Sequence, residues 1–211
     1  MGEVGAGDWH FDVTEALAVA DRIAERTVLI GTSTGGTLAV WAASRPEFEA
    51  QVAAAAVISP NFGPKDARAE VLLWPWGGLL ARLVQGPTRR WEPLNAEQAR
   101  FWTTEYPTRA LLPMMALVRM ARDIDPDALE VPVLSLYSPD DQVISPERIL
   151  AWSARAPAGR WRSVIVEGSG DPDQHVLAGD ILSPSTTSVV RDHMVDFFRA
   201  ALAAGPSPPD P

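Results

Sequence analysis

Residues 27–44 read TVLIGTSTGGTLAVWAAS, and this stretch decides the fold. Its first four residues, Thr27 to Ile30, form a short β-branched and apolar run that predicts a strand covered on both faces, as in a parallel sheet. Gly31 ends this run, and residues 34–44 begin with small residues and continue with apolar residues at helical spacing. The stretch therefore predicts a strand, a tight turn and a helix in direct succession.

The turn inside this stretch, GTSTG at residues 31–35, matches the nucleophile-elbow pattern G-x-S-x-G. A sharp turn holds the serine in a strained conformation, and a glycine on either side lets neighbouring backbone approach without a Cβ clash. The Ser33 hydroxyl would stand clear at the carboxyl end of the sheet, and the Thr34 N–H would face negative charge developing on a substrate oxygen. The alternative is an ordinary glycine-rich turn, but the flanking strand and helix favour a nucleophile.

Further apolar runs and helical patterns indicate an α/β fold. Three more strands are predicted, at Val52–Ile58, Val131–Tyr137 and Ser163–Val166. Helical spacing predicts a helix over Asp12–Ala24, capped by Asp12 or Thr14, and a closing helix over Ser183–Ala203 with Ser183 as its N-cap. Short apolar strands that alternate with helices predict a mostly parallel sheet flanked by helices.

The chain divides into two core parts, a long insertion and a tail. Residues 61–130 carry no strand signal and are rich in Trp, Leu, Pro and Met, so we expect two or three helices and a lid or binding element there. Residues 1–60 and 131–204 would form the two parts of the core. The tail at residues 205–211, GPSPPDP, is predicted to be disordered.

Composition and charge exclude several classes of protein. The chain has 211 residues and a net charge of −9, which argues against a partner nucleic acid. Since there is no cysteine and the three histidines are scattered, we expect no disulfide, no metal and no cofactor. No signal peptide is visible in the first thirty residues, so the expected location is cytoplasmic. The longest apolar stretches are shorter than the roughly 20 residues of a membrane span, so a membrane partner is not expected.

A serine nucleophile needs a general base, and the candidates are His10, His175 and His193. His175 lies in a Gly, Asp and Pro loop directly after the last predicted strand, where its ring can reach over the end of the sheet. His193 lies inside the closing helix, and His10 lies at the start of a helix, where a local cap or surface role is the simpler interpretation. We therefore predict that His175 is the base.

The base needs a carboxylate to orient it, and four aspartates are candidates. Asp140 and Asp141 follow the third predicted strand in the sequence SPDDQVISP. Asp141 is preferred because it comes just before apolar residues that re-enter the structure, whereas Asp140 is the better turn residue. Asp171 and Asp173 share the loop of His175 and are interpreted as solvated turn formers. The chain order is then Ser33, Asp141, His175.

Three motifs in this order resemble the α/β-hydrolase superfamily, of the serine esterase and lipase-like kind. They are VLIGTSTGGTLAVWAA, VPVLSLYSPDDQVISPE and the loop ending QHVLAGD before a terminal helix, and the resemblance covers Asp8 to Ala203. It implies an acyl-enzyme formed on Ser33, with His175 as general base and then acid, and Asp141 orienting it. It also implies that residues 61–130 are a helical cap over the site.

Aromatic and methionine side chains of this cap could line an apolar substrate pocket. The candidates are Trp74, Trp76, Trp91, Trp102, Met114 and Met115. The alternative for each of them is a place in the cap's own core. The stretch WPWGGLLARLV at residues 74–84 also leaves two alternatives open: a cap that opens at a membrane surface, or a buried cap helix.

The amino-terminal part of the family's sheet has no counterpart here, since only a helix is predicted before Thr27. The family's loop that supplies a second oxyanion donor is absent with it. Thr27 to Ile30 would then be an exposed apolar edge, which is a site of aggregation. We expect an amino-terminally incomplete hydrolase, or supporting strands supplied by a partner or a swapped dimer.

The favoured function is hydrolysis of a small-molecule carboxylic ester with an apolar acyl or alcohol part. A thioester, lactone or diketone substrate is a weaker alternative on the same fold. An alternative of another class is a catalytically impaired or dead hydrolase-like protein that binds a partner.

Overall fold

The central sheet contains four parallel strands in the order β1-β2-β5-β6. The computed structural model describes residues 4–204. The strands are β1 (Thr27–Thr32), β2 (Val52–Ile58), β3 (Thr88–Arg90), β4 (Glu105–Pro107), β5 (Val133–Tyr137) and β6 (Trp161–Ile165). The helices are α1 (Ala6–Ala20), α2 (Thr34–Ala43), α3 (Pro46–Glu49), α4 (Gly77–Gln85), α5 (Ala96–Phe101), α6 (Leu111–Asp123), α7 (Pro146–Ser153) and α8 (Pro184–Ala203).

Each face of the sheet has its own apolar core. Ala55 and Val57 of β2 point into the larger core, which includes residues of α2, α6 and α7. Their neighbours Ala56 and Ile58 point into the smaller core, against α8. Because successive side chains of a strand point to opposite faces, β2 is buried along its whole length, as its continuous apolar sequence predicts.

Strand β1 lies at an edge of the sheet and pairs only with β2 within residues 4–204. Thr27, Val28 and Leu29 are half-buried, and Ile30 is 60% exposed. The prediction that this strand is covered on both faces is therefore wrong, because Leu29 packs against the larger core on one face whereas Ile30, on the opposite face, is exposed. The expected exposed apolar edge is what the structure has.

Helix α1 begins earlier than the sequence predicts, at Ala6 instead of Asp12. Gly5 is the N-cap, and its N–H donates to the Asp8 carboxylate at 2.7 Å, so Asp12 and Thr14 lie inside the helix. The other boundaries shift less: β5 begins at Val133, and β6 covers Trp161–Ile165. Helix α8 begins after Ser183, as predicted.

The insertion between β2 and β5 contains α4, α5 and α6, in agreement with the helices expected there. It also contains an antiparallel ribbon of β3 and β4, which sequence analysis missed. Each of these strands has only three residues, TRR and EYP, so neither has enough apolar alternation to give a signal. The predicted disordered tail, residues 205–211, lies outside the described residues.

Candidate active site

Ser33 occupies a sharp turn between β1 and α2. Its backbone angles are φ 53° and ψ −118°, in a region that residues with a side chain rarely adopt. The Ser33 N–H donates to the Ile58 carbonyl at 2.8 Å, and the Asn61 N–H donates to the Ser33 carbonyl at 3.2 Å. Two hydrogen bonds from the end of β2 therefore hold the strained residue in place.

One glycine of the elbow makes the close approach that the motif predicts. A Cβ on Gly31 would lie 2.3 Å from the Gly35 carbonyl oxygen, so only glycine fits there. A Cβ on Gly35 would meet no atom within 4 Å, so the expectation of a second crowded glycine at this position is wrong. The second tight glycine is Gly36, where a Cβ would lie 3.2 Å from Pro60.

The ring of His175 contacts the carboxylate of Asp141. Nδ1 of His175 lies 2.8 Å from Oδ2 of Asp141, and both residues are buried. The other oxygen, Oδ1, accepts hydrogen bonds from the N–H groups of Val143 at 2.8 Å and Ile144 at 2.9 Å. A carboxylate beside Nδ1 favours the tautomer with its proton on Nδ1, which leaves Nε2 as a proton acceptor.

Asp140 does not take part in this pair. Its side chain is exposed, and its N–H donates to the Ser138 hydroxyl at 3.2 Å in the turn after β5. The structure therefore brings Asp141, and not Asp140, to His175.

The backbone of His175 is fixed by the side chains of Asp171 and Ser59, through hydrogen bonds that the sequence did not predict. Asp171 accepts hydrogen bonds from the N–H groups of His175 at 3.1 Å and Val176 at 2.8 Å. The Ser59 hydroxyl donates to the His175 carbonyl at 2.8 Å. Asp171 is buried, so its interpretation as a solvated turn former is wrong, whereas Asp173 is exposed. The Asp171 N–H donates to the hydroxyl of Ser183, the residue before α8, at 3.2 Å.

Ser59 links the elbow to the loop of residues 166–183, which carries His175 and is called the histidine loop. It follows β2, has φ 45°, and is fully buried. The neighbouring residue Ile58 accepts the hydrogen bond from Ser33, so the elbow and the histidine loop are held by adjacent residues. The only signal in the sequence is the Ser59-Pro60 turn at the end of an apolar run, which does not reveal a long-range hydrogen bond.

The topology places all three predicted triad residues at one edge of the sheet. Ser33 follows β1, Asp141 follows β5 and His175 follows β6. Carboxyl ends of parallel strands meet at one edge, where open α/β sheets bind their ligands. Thr34 is the first residue of α2, where a backbone N–H has no acceptor within the helix.

The other two histidines lie elsewhere. His10 lies within α1, is half-buried, and contacts the Trp41 ring with centroids 4.4 Å apart, so the expected cap or surface role is wrong. Burial, and to a lesser degree the nearby Arg45, lower the pKa of His10. His193 is half-buried on α8, in keeping with its interpretation as a helix residue.

The predicted pocket residues differ in their exposure. Trp74 and Trp76 are exposed at the start of α4, and Trp102 is exposed at the end of α5. On α6, Met114 is half-buried and Met115 is fully buried. Their role in substrate binding stays a prediction.

An ion cluster joins the insertion to the rest of the molecule. Arg122 of α6 donates two hydrogen bonds to Glu70, at 2.9 and 2.6 Å, and a third to the Phe62 carbonyl at 2.6 Å. Arg148 of α7 lies 3.2 Å from the same glutamate. Chiefly through the hydrogen bonds from Arg122, the cluster holds the pKa of Glu70 below its usual value.

Residues 4–204 contain no group of three or more His, Asp or Glu side chains arranged to hold a metal ion. No helix in this part of the chain is both long and apolar enough to cross a membrane.

Solved structures with the same architecture include several lipolytic enzymes, although no protein-family model and no curated protein matches the sequence. A structure from work on the metagenome-derived lipolytic enzymes LipS and LipT superposes with a TM-score of 0.73 and 18% identity, covering 94% of this chain and 75% of that one. The monoacylglycerol lipase of Paleococcus ferrophilus superposes with a TM-score of 0.67 and 14% identity, and the match covers 94% of this chain and 76% of the lipase. Mouse alpha/beta hydrolase domain-containing protein 10 superposes with a TM-score of 0.58 and 17% identity, and the match covers 95% of this chain and 72% of the mouse protein. The chain therefore has the α/β-hydrolase fold that its sequence predicts.

Proposed function

We propose that the protein is a serine hydrolase that cleaves a carboxylic ester with an apolar acyl or alcohol part. The observation that carries this proposal is the buried contact of 2.8 Å between Nδ1 of His175 and Oδ2 of Asp141, at the edge of the sheet where Ser33 occupies its strained turn. The lipolytic enzymes among the solved structures support the same class of reaction.

In the proposed reaction the Ser33 Oγ attacks the carbonyl carbon of the ester, and its proton passes to Nε2 of His175. The Thr34 N–H stabilises the oxyanion of the tetrahedral intermediate. When the intermediate collapses, the alcohol leaves with the proton from Nε2 and the acyl group stays on Ser33. Water then attacks the acyl group and gives a proton to Nε2, and this proton returns to Ser33 as the acid is released. Asp141 stabilises the imidazolium ion in both halves.

The test combines hydrolysis of p-nitrophenyl esters with intact-mass detection of a fluorophosphonate adduct. We expect one adduct per chain, and its loss in Ser33→Ala. His175→Ala should lower turnover roughly 10⁶-fold, since the base is then missing. His193→Ala is the matched control and should keep full activity. Undiminished labelling of Ser33→Ala would refute the assignment.

A second candidate function is a non-catalytic protein that binds a partner through the hydrolase fold. It is favoured by the edge position of β1 and by our assignment of a single oxyanion donor, Thr34, within residues 4–204. Loss of one such donor costs roughly a hundredfold to a thousandfold in rate. Absence of any fluorophosphonate adduct on the folded wild-type chain would favour this candidate.

A further inference from the structure

A cavity of about 640 Å³ lies at the edge of the sheet opposite Ser33 and His175. Because the four strands are parallel, their amino ends meet at one edge and their carboxyl ends meet at the other. Sites for small molecules typically have volumes of roughly 300 to 1,000 Å³. The lining comes from the starts of the four strands and from the end of α8, and it includes Arg26, Val52, Ala53, Val131, Arg160 and Ala201. The cavity is therefore large enough for a ligand and separate from the site of the proposed hydrolysis.

Arg26, the residue before β1, lines this cavity and carries a hydrogen-bond donor without an acceptor. Its Nε is buried, and no residue between 4 and 204 accepts a hydrogen bond from it. An N–H group that is both shielded from water and unpaired is unfavourable, and native structures rarely contain one. The side chain also forms no ion pair with any carboxylate in the described part of the chain. The cavity therefore has a cationic donor that needs an acceptor.

The other charged side chains of the cavity do not supply that acceptor. Glu49 is exposed, and Glu130 is half-buried with no oxygen that is both buried and unpaired, so water can hydrate both carboxylates. Among residues 4–204, neither glutamate forms an ion pair with Arg26 or Arg160. The charges of these two glutamates and two arginines cancel. An acceptor with a single negative charge therefore suits the cavity better than phosphate, which carries more than one at pH 7.

Much of the remaining lining is apolar. Val52 and Ala53 begin β2, Val131 precedes β5, and Ala201 lies in the last turn of α8. The last carbonyl groups of a helix carry a partial negative charge, so the end of α8 disfavours an anionic group. A ligand with a charged and an apolar part would therefore place its charge at Arg26 and its apolar part at Ala201.

We propose that this cavity binds a small monocarboxylic acid with an apolar body. The carboxylate would accept hydrogen bonds from Nε and from a terminal N–H of Arg26, because a guanidinium presents two parallel donors that match a carboxylate. The apolar body would lie against Val52, Ala53 and Val131 and end at Ala201. The proposal concerns binding at the amino ends of the strands and goes beyond the proposed hydrolysis at their carboxyl ends.

The test is a titration with octanoate, followed through the amide chemical shifts in heteronuclear NMR. We expect saturable shifts at Ala53, Val131 and Arg160. Octanamide, which has the same chain without the charge, should bind at least about tenfold more weakly, because a charged acceptor strengthens the hydrogen bonds to Arg26. Inorganic phosphate should also bind at least about tenfold more weakly, since it has no apolar body. Ser33→Ala should bind octanoate like the wild type, so the result does not depend on the proposed reaction.

Two variants, each with a matched control, locate the site. Arg26→Gln removes the charged donors and should weaken octanoate binding at least about tenfold. Its control is Arg22→Gln, at an exposed arginine outside the cavity. Ala201→Leu fills the apolar part of the cavity and should weaken binding about tenfold. Its control is Ala203→Leu, at an exposed position in the same turn of α8. Leucine is a good helix former, so Ala201→Leu tests the proposal even if circular dichroism shows that Arg26→Gln does not fold.

The proposal is overturned if octanoate does not bind, or if octanamide or phosphate binds as tightly. It is also overturned if Arg26→Gln and Ala201→Leu bind octanoate as well as their controls do. Octanoate that shifts only the amides around Ser33 and His175 would overturn it too, because the acid would then occupy the proposed active site.

Discussion

The loops at the carboxyl edge of the sheet bury polar side chains, whereas helix α4 exposes large apolar side chains. At the edge, the polar groups of Ser59, Asp141 and Asp171 are buried, and each has a hydrogen-bond partner within the protein. On α4, large apolar side chains such as Leu83 lie in solvent. Burial of a polar group is favourable only when its hydrogen bonds are satisfied, and these three side chains meet that condition. Leu79, Leu83 and Val84 of α4 are 58% to 83% exposed, so folding of the described residues leaves most of their apolar area in water.

The largest effect is expected at the elbow, where a side chain at residue 31 would collide with the backbone of Gly35. Gly31→Ala would place a Cβ 2.3 Å from the Gly35 carbonyl, so the turn must move, and we expect a loss of about 3 kcal/mol in the free energy of unfolding. Gly35→Ala meets no atom within 4 Å and should keep or slightly raise stability, because alanine is the better helix former. Thermal unfolding of the two variants measures this contrast. Equal effects of the two substitutions would show that the elbow is not crowded.

The next effect concerns the histidine loop. Asp171→Asn removes the negative charge of the carboxylate that accepts hydrogen bonds from two backbone N–H groups. We expect kcat to fall about tenfold with KM little changed. Asp173→Asn, at an exposed position of the same loop, is the control. The rate of fluorophosphonate labelling is the second measurement, since it reports on the nucleophile without substrate binding. A change in KM alone would show that Asp171 does not position His175.

A smaller effect is expected from the ion cluster that joins the insertion to the core. Glu70→Gln should lower the melting temperature at pH 7 by about 2–4 °C, which corresponds to about 1 kcal/mol for a partly exposed cluster in a chain of this size. The pKa of Glu70 is lowered on folding, so its stabilising effect is present above its usual pKa of 4.5 and is lost as the pH falls through the folded value. The difference between wild type and variant should therefore shrink below pH 4.5.

The control for this prediction is Asp192→Asn. It disrupts the exposed ion pair with Arg191 and should change the melting temperature little at any pH. A difference between Glu70→Gln and the wild type that stays constant down to low pH would contradict an ionic origin.

The smallest effect is expected at the open edge of the sheet. Ile30→Lys replaces an exposed apolar side chain on β1, so stability should change by no more than about 0.5 kcal/mol. Charge on an edge strand discourages pairing with another chain, so the variant should aggregate less in light scattering at equal concentration. A large loss of stability would show that Ile30 is covered in solution.

The elements that sequence analysis predicted well are those whose signal is local. Strand β2 has the predicted bounds because seven consecutive apolar residues are buried on both faces. The elbow at Ser33 was predictable because a strand, a glycine-rich turn and a helix adjoin in the chain. Ser33, Asp141 and His175 were selected because each follows a predicted strand, and the parallel strands β1, β5 and β6 place them at one edge of the sheet.

The features that were missed depend on contacts between distant residues. Asp171 and Asp173 look alike in the sequence, but only the first is buried, and its backbone is bonded to Ser183, twelve residues further along the chain. Gly31 and Gly35 look equivalent in the motif, but only one of them faces a carbonyl group. The exposure of the large side chains of α4 was left open because an apolar helix has the same sequence whether it faces a core or solvent.

The hydrogen bond between Ser59 and His175 has a consequence for how the protein folds. The two residues are separated by 116 positions in the chain, and the contact between Asp141 and His175 spans 34. Closing so long a loop costs chain entropy before any contact stabilises it, and such contacts slow folding. The arrangement at His175 should therefore form in one of the last steps of folding. Recovery of fluorophosphonate labelling during refolding would then report when β1, β2, β5 and β6 have all assembled.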